Sequence, residues 1–239
     1  MENKRIKLYE PLRWKHNEWF HRLNYMYLLE IILDFFGQTE ILKIRLTCTL
    51  FNNIFKEKWC KNHFISFKKK IRNKDLKNFN YLKKINLRGC QNIRARGLSY
   101  CKEATHINLS ECSKITDKEL FCLKNATHIN LSGCYGITDK GLQYLRGVKS
   151  ICIDCCIQIT NEGLFCLSEV SNISLDWCNE ITDLGIFYLQ NVHSICFNHN
   201  FKITDKGISF LKKHGAIYFT GLFEPYFIDT YFTQDYRLS

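Results

Sequence analysis

The chain has 239 residues, a formal net charge of +11 and 13 cysteines. No apolar run reaches the ~18 residues that a membrane-spanning helix requires, so we expect no membrane insertion. The cysteine count is odd and no secretory apolar segment opens the chain, which favours reduced thiols in the cytoplasm or nucleus.

The positive charge is concentrated in the N-terminal third. Residues 1–83 carry 18 Lys and Arg against eight Asp and Glu, whereas the rest of the chain is almost neutral. The basic run FKKKIRNKDLK at 67–77 is of a kind that can bind nucleic acid or an anionic surface. Such runs are more often solvated faces, and the repeats that follow offer no basic stripe to extend the run. We therefore do not expect a nucleic-acid partner.

Residues 1–21 form an N-terminal extension, and residues 22–61 are predicted to form a small helical module. An apolar helix runs to residue 36, a Gly-Gln-Thr break follows at 37–39, and Thr39 is a suitable N-cap for a second helix. Apolar residues recur every four positions in that helix, at Leu42, Leu46, Leu50 and Ile54. The module is small for an independent core, so we expect it to pack on the first repeat or on a partner.

Residues 62–83 are predicted to be a linker or N-terminal capping repeat, and residues 84–219 repeat one sequence pattern. Cysteine recurs every 22 residues at Cys90, Cys112, Cys134, Cys156 and Cys178, with Asn200 in the next slot. An Ile-x-Leu type pair recurs at the same spacing through six copies, and a seventh copy begins at Ile217 and Phe219. This period, with leucine slots and a Cys/Asn slot, indicates a leucine-rich-repeat solenoid.

Each copy is predicted to contain one short strand and one short helix, which places the chain in the α/β class. The Ile-x-Leu pair alternates inward and outward as a strand does. A helix follows, for which the expected N-caps are Asp117, Asp139, Asn161, Asp183 and Asp205. One copy cannot bury its own apolar face, so the copies must stack into one continuous core. We expect a short right-handed arc of parallel strands rather than a closed ring.

The cysteine ladder is predicted to be structural. Stacked strands lie about 4.8 Å apart, so the ladder becomes a buried row of thiols at the strand exits. The Cys-x-x-Cys at 152–155 lacks a second pair or a His pair at zinc spacing. We therefore expect no structural disulfide, no zinc and no cofactor.

The concave face, formed by side chains beside the inward pair, is the predicted binding surface. Its last column is Gly89, Glu111, Gly133, Cys155, Trp177, His199 and Gly221. Across the whole concave face, the first three repeats present mainly small and amide groups, and the later repeats present larger groups. Aromatic residues dominate binding hot spots, so the expected substrate-binding residues are Asp154, Asp176, Trp177, His199 and Tyr218. The alternative role for Trp177 is to cover a neighbouring repeat.

Residues 220–239 are predicted to be a C-terminal cap. The last 24 residues contain eight aromatic side chains, which is too apolar for a disordered tail. A solenoid must cover its last open edge. Part of a substrate pocket is the alternative role.

The helical module contains a set of short motifs in a fixed order, namely Glu30-Ile31-Ile32, Phe35-Phe36, Glu40-Ile41 and Leu46-Thr47-Cys48, followed by Trp59. This set resembles an F-box, whose motif is often closed by a tryptophan such as Trp59. Leu28 stands where the family has proline, and the loop after Phe36 is about three residues short. The cysteine-type repeats that follow strengthen the resemblance to F-box/leucine-rich-repeat proteins. The richness in Asn, Lys, Ile and Phe is also similar to that of such proteins from amoeba-infecting giant viruses, although AT-rich cellular genomes give the same bias.

The resemblance implies a non-catalytic substrate-recognition subunit of an SCF-type (Skp–cullin–F-box) E3 ubiquitin ligase. The F-box would dock on a Skp-type adaptor, from the host if the protein is viral, through Leu28, Ile31, Phe35, Ile41, Leu42 and Leu46. The repeats would hold a protein substrate, with one copy of the chain in the complex. The chain has no Gly-rich phosphate loop, nucleophile elbow or paired His ligand motif. The alternative is a protein-binding scaffold without ligase association.

Overall fold

The computed structural model of the chain describes residues 65–67 and 70–219. The predicted helical module and the tail 220–239 lie outside the described residues. The strands of the described part are β1 (Ile65–Ser66), β2 (Lys84–Asn86), β3 (His106–Asn108), β4 (His128–Asn130), β5 (Ser150–Cys152), β6 (Asn172–Ser174), β7 (Ser194–Cys196) and β8 (Ile217–Phe219). They form one parallel sheet in sequence order, and its two outermost described strands, β1 and β8, do not pair with each other. The expected open solenoid, rather than a closed ring, is confirmed.

The sheet begins one strand earlier than residue 84. Strand β1 pairs with β2 so that Ile65 aligns with Ile85, a step of 20 residues. A 3₁₀ helix at Asn73–Phe79 completes this first unit, with Leu76 fully buried. The segment between the predicted module and the first predicted repeat thus continues the same apolar core.

The core consists of apolar columns, one residue from each repeat. The middle residue of each of strands β2 to β7 is at most 1% exposed, as at Ile107. The residue two positions later, such as Leu109, is buried beside it and opens the turn that leaves the strand. Burying each such side chain contributes about 1.5–3 kcal/mol. Because neighbouring repeats share the columns, the repeats form one core.

The opposite side of the solenoid is built from short helices. They are α1 (Ala95–Leu98), α2 (Asp117–Leu120), α3 (Asp139–Leu142), α4 (Asn161–Phe165), α5 (Asp183–Tyr188) and α6 (Asp205–Lys213). Single 3₁₀ turns extend α1, α2 and α3 at Ser99–Cys101, Phe121–Leu123 and Gln143–Leu145. Where residues are described, no helix is long and apolar enough to cross a bilayer.

The predicted N-caps of these helices were wrong by one residue. The caps of α2 to α6 are the preceding threonines, Thr116, Thr138, Thr160, Thr182 and Thr204, and the Asp or Asn is the first helical residue. The freed carboxylate binds the next repeat instead. Asp139 accepts hydrogen bonds from the backbone N–H and the hydroxyl of Thr160, both at 2.8 Å. Local pattern reasoning could not find this because the partner lies 21 residues away.

A glycine in each following helix makes room for this inter-repeat bond. A Cβ on Gly185 would lie 2.5 Å from Asn161 Oδ1, and one on Gly207 would lie 2.6 Å from Asp183 Oδ1. Real Cβ atoms do not approach an oxygen so closely. Glycine is therefore required in the third helical position wherever the preceding repeat supplies the capping side chain.

The second repeat shows the rule by its exception. Ala95 stands in the capping slot of α1, so no carboxylate reaches Thr116. The glycine slot of α2 is correspondingly filled by Glu119, whose Oε2 accepts from the Thr116 backbone N–H at 2.9 Å and its hydroxyl at 2.7 Å. Its Oε1 accepts from the Ala95 backbone N–H at 3.1 Å. Glu119 thus fills the space and makes the bonds to Thr116 that a capping side chain at position 95 would otherwise provide.

The cysteine ladder is buried, as predicted. The Cys112 thiol donates to the carbonyl oxygen of Leu87 at 3.1 Å, and the Cys178 thiol donates to that of Ile153 at 3.1 Å. Asn200 makes the equivalent bond through Nδ2 to the Leu175 carbonyl oxygen at 2.8 Å. The slot therefore needs a short side chain with a donor, which explains why Cys and Asn interchange. Burial raises the pKa of Cys134 and Cys178 to about 12, so these thiols stay protonated.

The last strand departs from the 22-residue register. Helix α6 is the longest, and Gly215 ends its turn in the left-handed conformation with φ 72°. One extra residue precedes β8, so Ile195 aligns with Tyr218 rather than with Ile217. Ile217 is 47% exposed, and the side chain of Tyr218 packs against the core. The predicted seventh start at Ile217 was wrong by one position.

Candidate functional site

The strand exits carry a column of left-handed residues along one rim of the solenoid. Positive φ angles of 60–71° occur at Gly89, Glu111, Gly133, Cys155, Trp177 and His199. Only two of these residues are glycine. The left-handed conformation costs an L-residue roughly 1–2 kcal/mol, so the other four store backbone strain. Glycine would relieve this strain, so the presence of four larger residues in one column suggests that their side chains have a role on the rim.

Trp177 and His199 form the largest exposed feature of that rim. Their ring centroids lie 4.0 Å apart with planes at 19°, so the two rings stack. Trp177 remains 47% exposed, and His199 is exposed as well. The sequence-level alternative, that Trp177 covers its neighbour, is thus realised in part. The stack fixes the indole in place and leaves one surface for a partner.

Asp154 and Asp176 directly precede the rim residues Cys155 and Trp177 and are engaged in joining repeats. Asp154 Oδ1 accepts from the Ser174 hydroxyl at 2.5 Å and from the Asp176 backbone N–H at 2.9 Å. Asp176 Oδ1 accepts from the Asn198 backbone N–H at 2.7 Å. Burial raises the pKa of Asp154, while the hydrogen bonds from Ser174 and Cys152 oppose that shift. Both carboxylates therefore serve the contacts between neighbouring repeats.

Tyr218 does not belong to the concave surface where the sequence placed it. The register shift before β8 turns its ring toward Phe197, with centroids 6.3 Å apart. Lys212 Nζ lies 5.9 Å from the ring centroid. Tyr218 is therefore a half-buried end of the core, separate from the Trp177–His199 stack. The available signal was one extra residue between Leu211 and Tyr218, compared with the interval from Leu189 to Ile195.

The early repeats carry a different aromatic pair on the concave face. His106 and His128 stack with centroids 4.1 Å apart and planes at 5°. Each Nδ1 is hydrogen-bonded to the preceding threonine hydroxyl, at 3.0 Å for Thr105 and 2.9 Å for Thr127. Burial, then the neighbouring His128 and Lys84, lowers the pKa of His106 to about 4. The two histidines therefore pack against each other as successive members of one repeat column.

The asparagines of the early repeats hold the strand exits. Asn108 Oδ1 accepts from the Ser110 backbone N–H at 2.9 Å and from its hydroxyl at 2.7 Å. Asn130 makes the same backbone bond to Ser132 at 2.9 Å. From Asp154 onward, an aspartate of the preceding repeat takes over this bond. No group of three or more His, Cys, Asp or Glu side chains within 65–67 and 70–219 could hold a metal ion.

Comparisons with known proteins agree with this architecture. Residues 127–145 match the family model for the leucine-rich repeat. The structure is similar to an internalin C2 (inlC2) from Listeria monocytogenes str. 4b F2365, with TM-score 0.50 and 23% identity over 63% of this chain and 68% of that chain. The described part of the chain therefore has the leucine-rich-repeat solenoid fold.

Two further structures are similar over part of their length. A chain from the complex of Rad7 and Elc1 in yeast has TM-score 0.49 and 15% identity over 57% of this chain. A chain from the Drosophila Toll–Spatzle complex has TM-score 0.42 and 15% identity over 58% of this chain. The match spans 42% of the first of these proteins and 23% of the second. No curated protein sequence matches this chain.

Proposed function

We propose that the protein is the substrate-recognition subunit of an SCF-type E3 ubiquitin ligase and has no catalytic step of its own. The observation that carries the substrate-binding part is the exposed Trp177–His199 stack on a strained rim. The F-box resemblance of residues 27–60 carries the adaptor part. Such a subunit accelerates modification by raising the effective concentration of substrate at the ligase.

The stack has the properties of a protein-binding hot spot. Tryptophan is enriched among residues whose truncation costs about 2 kcal/mol or more in binding. The rings of Trp177 and His199 are already held together at 4.0 Å, so little side-chain freedom is lost when a partner binds. Asp154 and Asp176 add negative charge. We infer a substrate patch that is basic or rich in hydroxyl groups, because complementary charge guides partner choice.

The rim is tested by paired truncations once a substrate is in hand. Trp177→Ala should weaken substrate binding by about 2 kcal/mol, measured by titration calorimetry. The matched control is Phe165→Ala, because Phe165 is 62% exposed but lies on α4, on the helical side. Equal small losses for both variants, with circular dichroism unchanged, would place substrate recognition elsewhere.

The adaptor is proposed to bind the helical module. Its expected contacts remain Leu28, Ile31, Phe35, Ile41, Leu42 and Leu46, which lie outside the described residues. The test is binding of purified Skp-type adaptor to the full chain by size-exclusion chromatography. The double change Leu28→Glu with Ile41→Glu should abolish co-elution, whereas Trp177→Ala should retain it. If the wild type never binds adaptor, the alternative applies, namely a protein-binding scaffold without ligase association.

A further inference from the structure

The near-neutral net charge of the repeats is the sum of two halves of opposite charge. Residues 70–149 carry 16 Lys and Arg against six Asp and Glu, whereas residues 150–219 carry four against seven. The division at residue 83 in the sequence analysis averaged the charges of these two parts, and the expectation that the repeats offer no basic stripe was wrong for the first three copies. The first half of the described solenoid is therefore strongly basic and the second half is acidic.

The cations of the basic half form two rows on the helical side. One row recurs at the second position of the helical segment in successive units, at Lys74, Arg96, Lys118 and Lys140. The other recurs after the helical segment, at Lys102, Lys124 and Arg146. All seven side chains are exposed, and none forms an ion pair with a carboxylate in the described ranges. The first row ends at Glu162, in the fifth unit.

The acidic side chains of the same helices are engaged in joining repeats. Both carboxylate oxygens of Asp117 accept hydrogen bonds from Thr138, at 2.8 Å each. Asp139 binds Thr160 in the same way, and Glu119 is buried against Thr116. The positive charges of α2 and α3 thus face solvent, while Asp117, Asp139 and Glu119 of the same helices bind threonines.

Aromatic rings lie between the two rows of cations. Tyr100, Phe121 and Tyr144 come between the two cationic slots of their own repeats. Phe121 is 59% exposed, and its ring meets that of Tyr144 edge to face at 5.4 Å. Phe121 and Tyr144 are exposed, whereas Tyr100 is half-buried against the core. Regular cations beside exposed rings match the needs of a phosphate backbone and its bases. An acidic peptide would use the cations but leaves the row of aromatic rings without a role.

A groove opens at the N-terminal end of these rows. It has a volume of about 820 Å³ and is lined by Arg72, Asn73, Lys74, Lys77, Asn92, Arg96 and Tyr100. Its lining contains four cations, two amides and one aromatic ring, and no carboxylate. The Arg72–Asp75 pair at its edge is loose, at 3.8 Å, and exposed.

We propose that the helical side of the basic half, from Arg72 to Arg146, binds single-stranded nucleic acid. Phosphates occupy the groove and the cationic rows, and bases stack on Tyr100, Phe121 and Tyr144. Proteins that bind single strands without sequence preference combine these two elements. This surface lies opposite the concave rim, so a substrate bound at the Trp177–His199 stack would leave it accessible.

The proposal is tested by fluorescence anisotropy with the full chain. The probes are labelled poly-dT and poly-U strands of about 12 nucleotides, a length within the usual site sizes. The logarithm of the association constant should fall linearly with the logarithm of the salt concentration between about 50 and 200 mM. Lys118→Gln with Lys140→Gln should lower the slope by about 0.7 for each lost phosphate contact. Phe121→Ala should weaken binding about 5-fold or more and leave the slope unchanged.

Two controls make the outcome decisive. Lys206 occupies the same repeat slot as Lys118 but lies in the acidic half, so Lys206→Gln should change neither affinity nor slope. A poly-Glu peptide of equal charge tests the acidic-protein alternative. The proposal is overturned if Lys206→Gln acts like the double variant, or if poly-Glu binds as tightly as the strands.

Discussion

Replacing Gly185 by alanine should destabilise the solenoid although alanine is the better helix former. In an ordinary helix interior this change gains about 1 kcal/mol. Here the new Cβ would lie 2.5 Å from Asn161 Oδ1 and 3.0 Å from Leu164 Cδ1. Asn161 must move, and it then loses two bonds to Thr182, each of 3.0 Å.

The magnitude follows from these competing terms. Two neutral hydrogen bonds contribute about 1 kcal/mol each. Their loss outweighs the helical gain, and the close approach to Leu164 adds further cost. We expect Gly185→Ala to lower the free energy of unfolding by about 1–2 kcal/mol. The matched control is Gly147→Ala, because a Cβ there meets no atom within 4 Å. That change should be neutral or stabilising by up to about 1 kcal/mol.

The assay is urea unfolding followed by circular dichroism, in wild-type and Asn161→Ala backgrounds. Removing the Asn161 amide empties the space, as Ala95 does naturally before Glu119. Gly185→Ala should therefore change sign and become neutral or stabilising in that background. An equal loss in both backgrounds would refute the steric coupling and assign the cost to Leu164 instead.

Three further changes test the ladders. Lowering the pH from about 6.5 to 4 should destabilise the protein. The pKa values of His106 and His128 are lowered in the folded state, so both rings stay neutral there while the unfolded chain already binds protons. Replacing both histidines by asparagine, the residue of the same slot at 172, should reduce that loss in urea titrations; an unchanged pH profile would contradict it. Cys155→Gly should raise the unfolding free energy by about 1 kcal/mol by relieving φ 60°, and a thermal midpoint at or below wild type would count against stored strain. Asn200→Cys should leave the free energy of unfolding unchanged or raise it by about 1 kcal/mol, because Asn200 Oδ1 is buried and has no hydrogen-bond partner in the described part. A clear fall in the urea midpoint would contradict that expectation.

The repeat period was the most informative feature of the sequence. Burial of Ile107, Leu109 and the cysteine ladder follows from a 22-residue spacing without reference to any partner. A column of apolar residues can face only a shared core. The open sheet and its parallel strands follow for the same reason, because each repeat pairs with the copies before and after it.

The errors arose where the position of a residue depends on a contact with a distant residue or on an inserted residue. Asp139 looks like a local cap, but Thr160 of the next repeat is its partner. Tyr218 was misplaced because a single inserted residue exchanges the two faces of a strand. The column containing Gly89 and Gly133 could have revealed the left-handed rim, since these glycines mark the same slot as Trp177. The described residues leave the adaptor contacts untested, and they stay a prediction.

The central claim is that adaptor and substrate occupy separate ends of one chain. Affinity capture of the tagged full chain from a eukaryotic lysate, with quantitative mass spectrometry, tests it most directly. The wild type and Trp177→Ala should both enrich a Skp-type adaptor and a cullin, and Leu28→Glu with Ile41→Glu should lose both. A second set of proteins should be lost from Trp177→Ala alone. Absence of adaptor and cullin from the wild-type capture would contradict the ligase account.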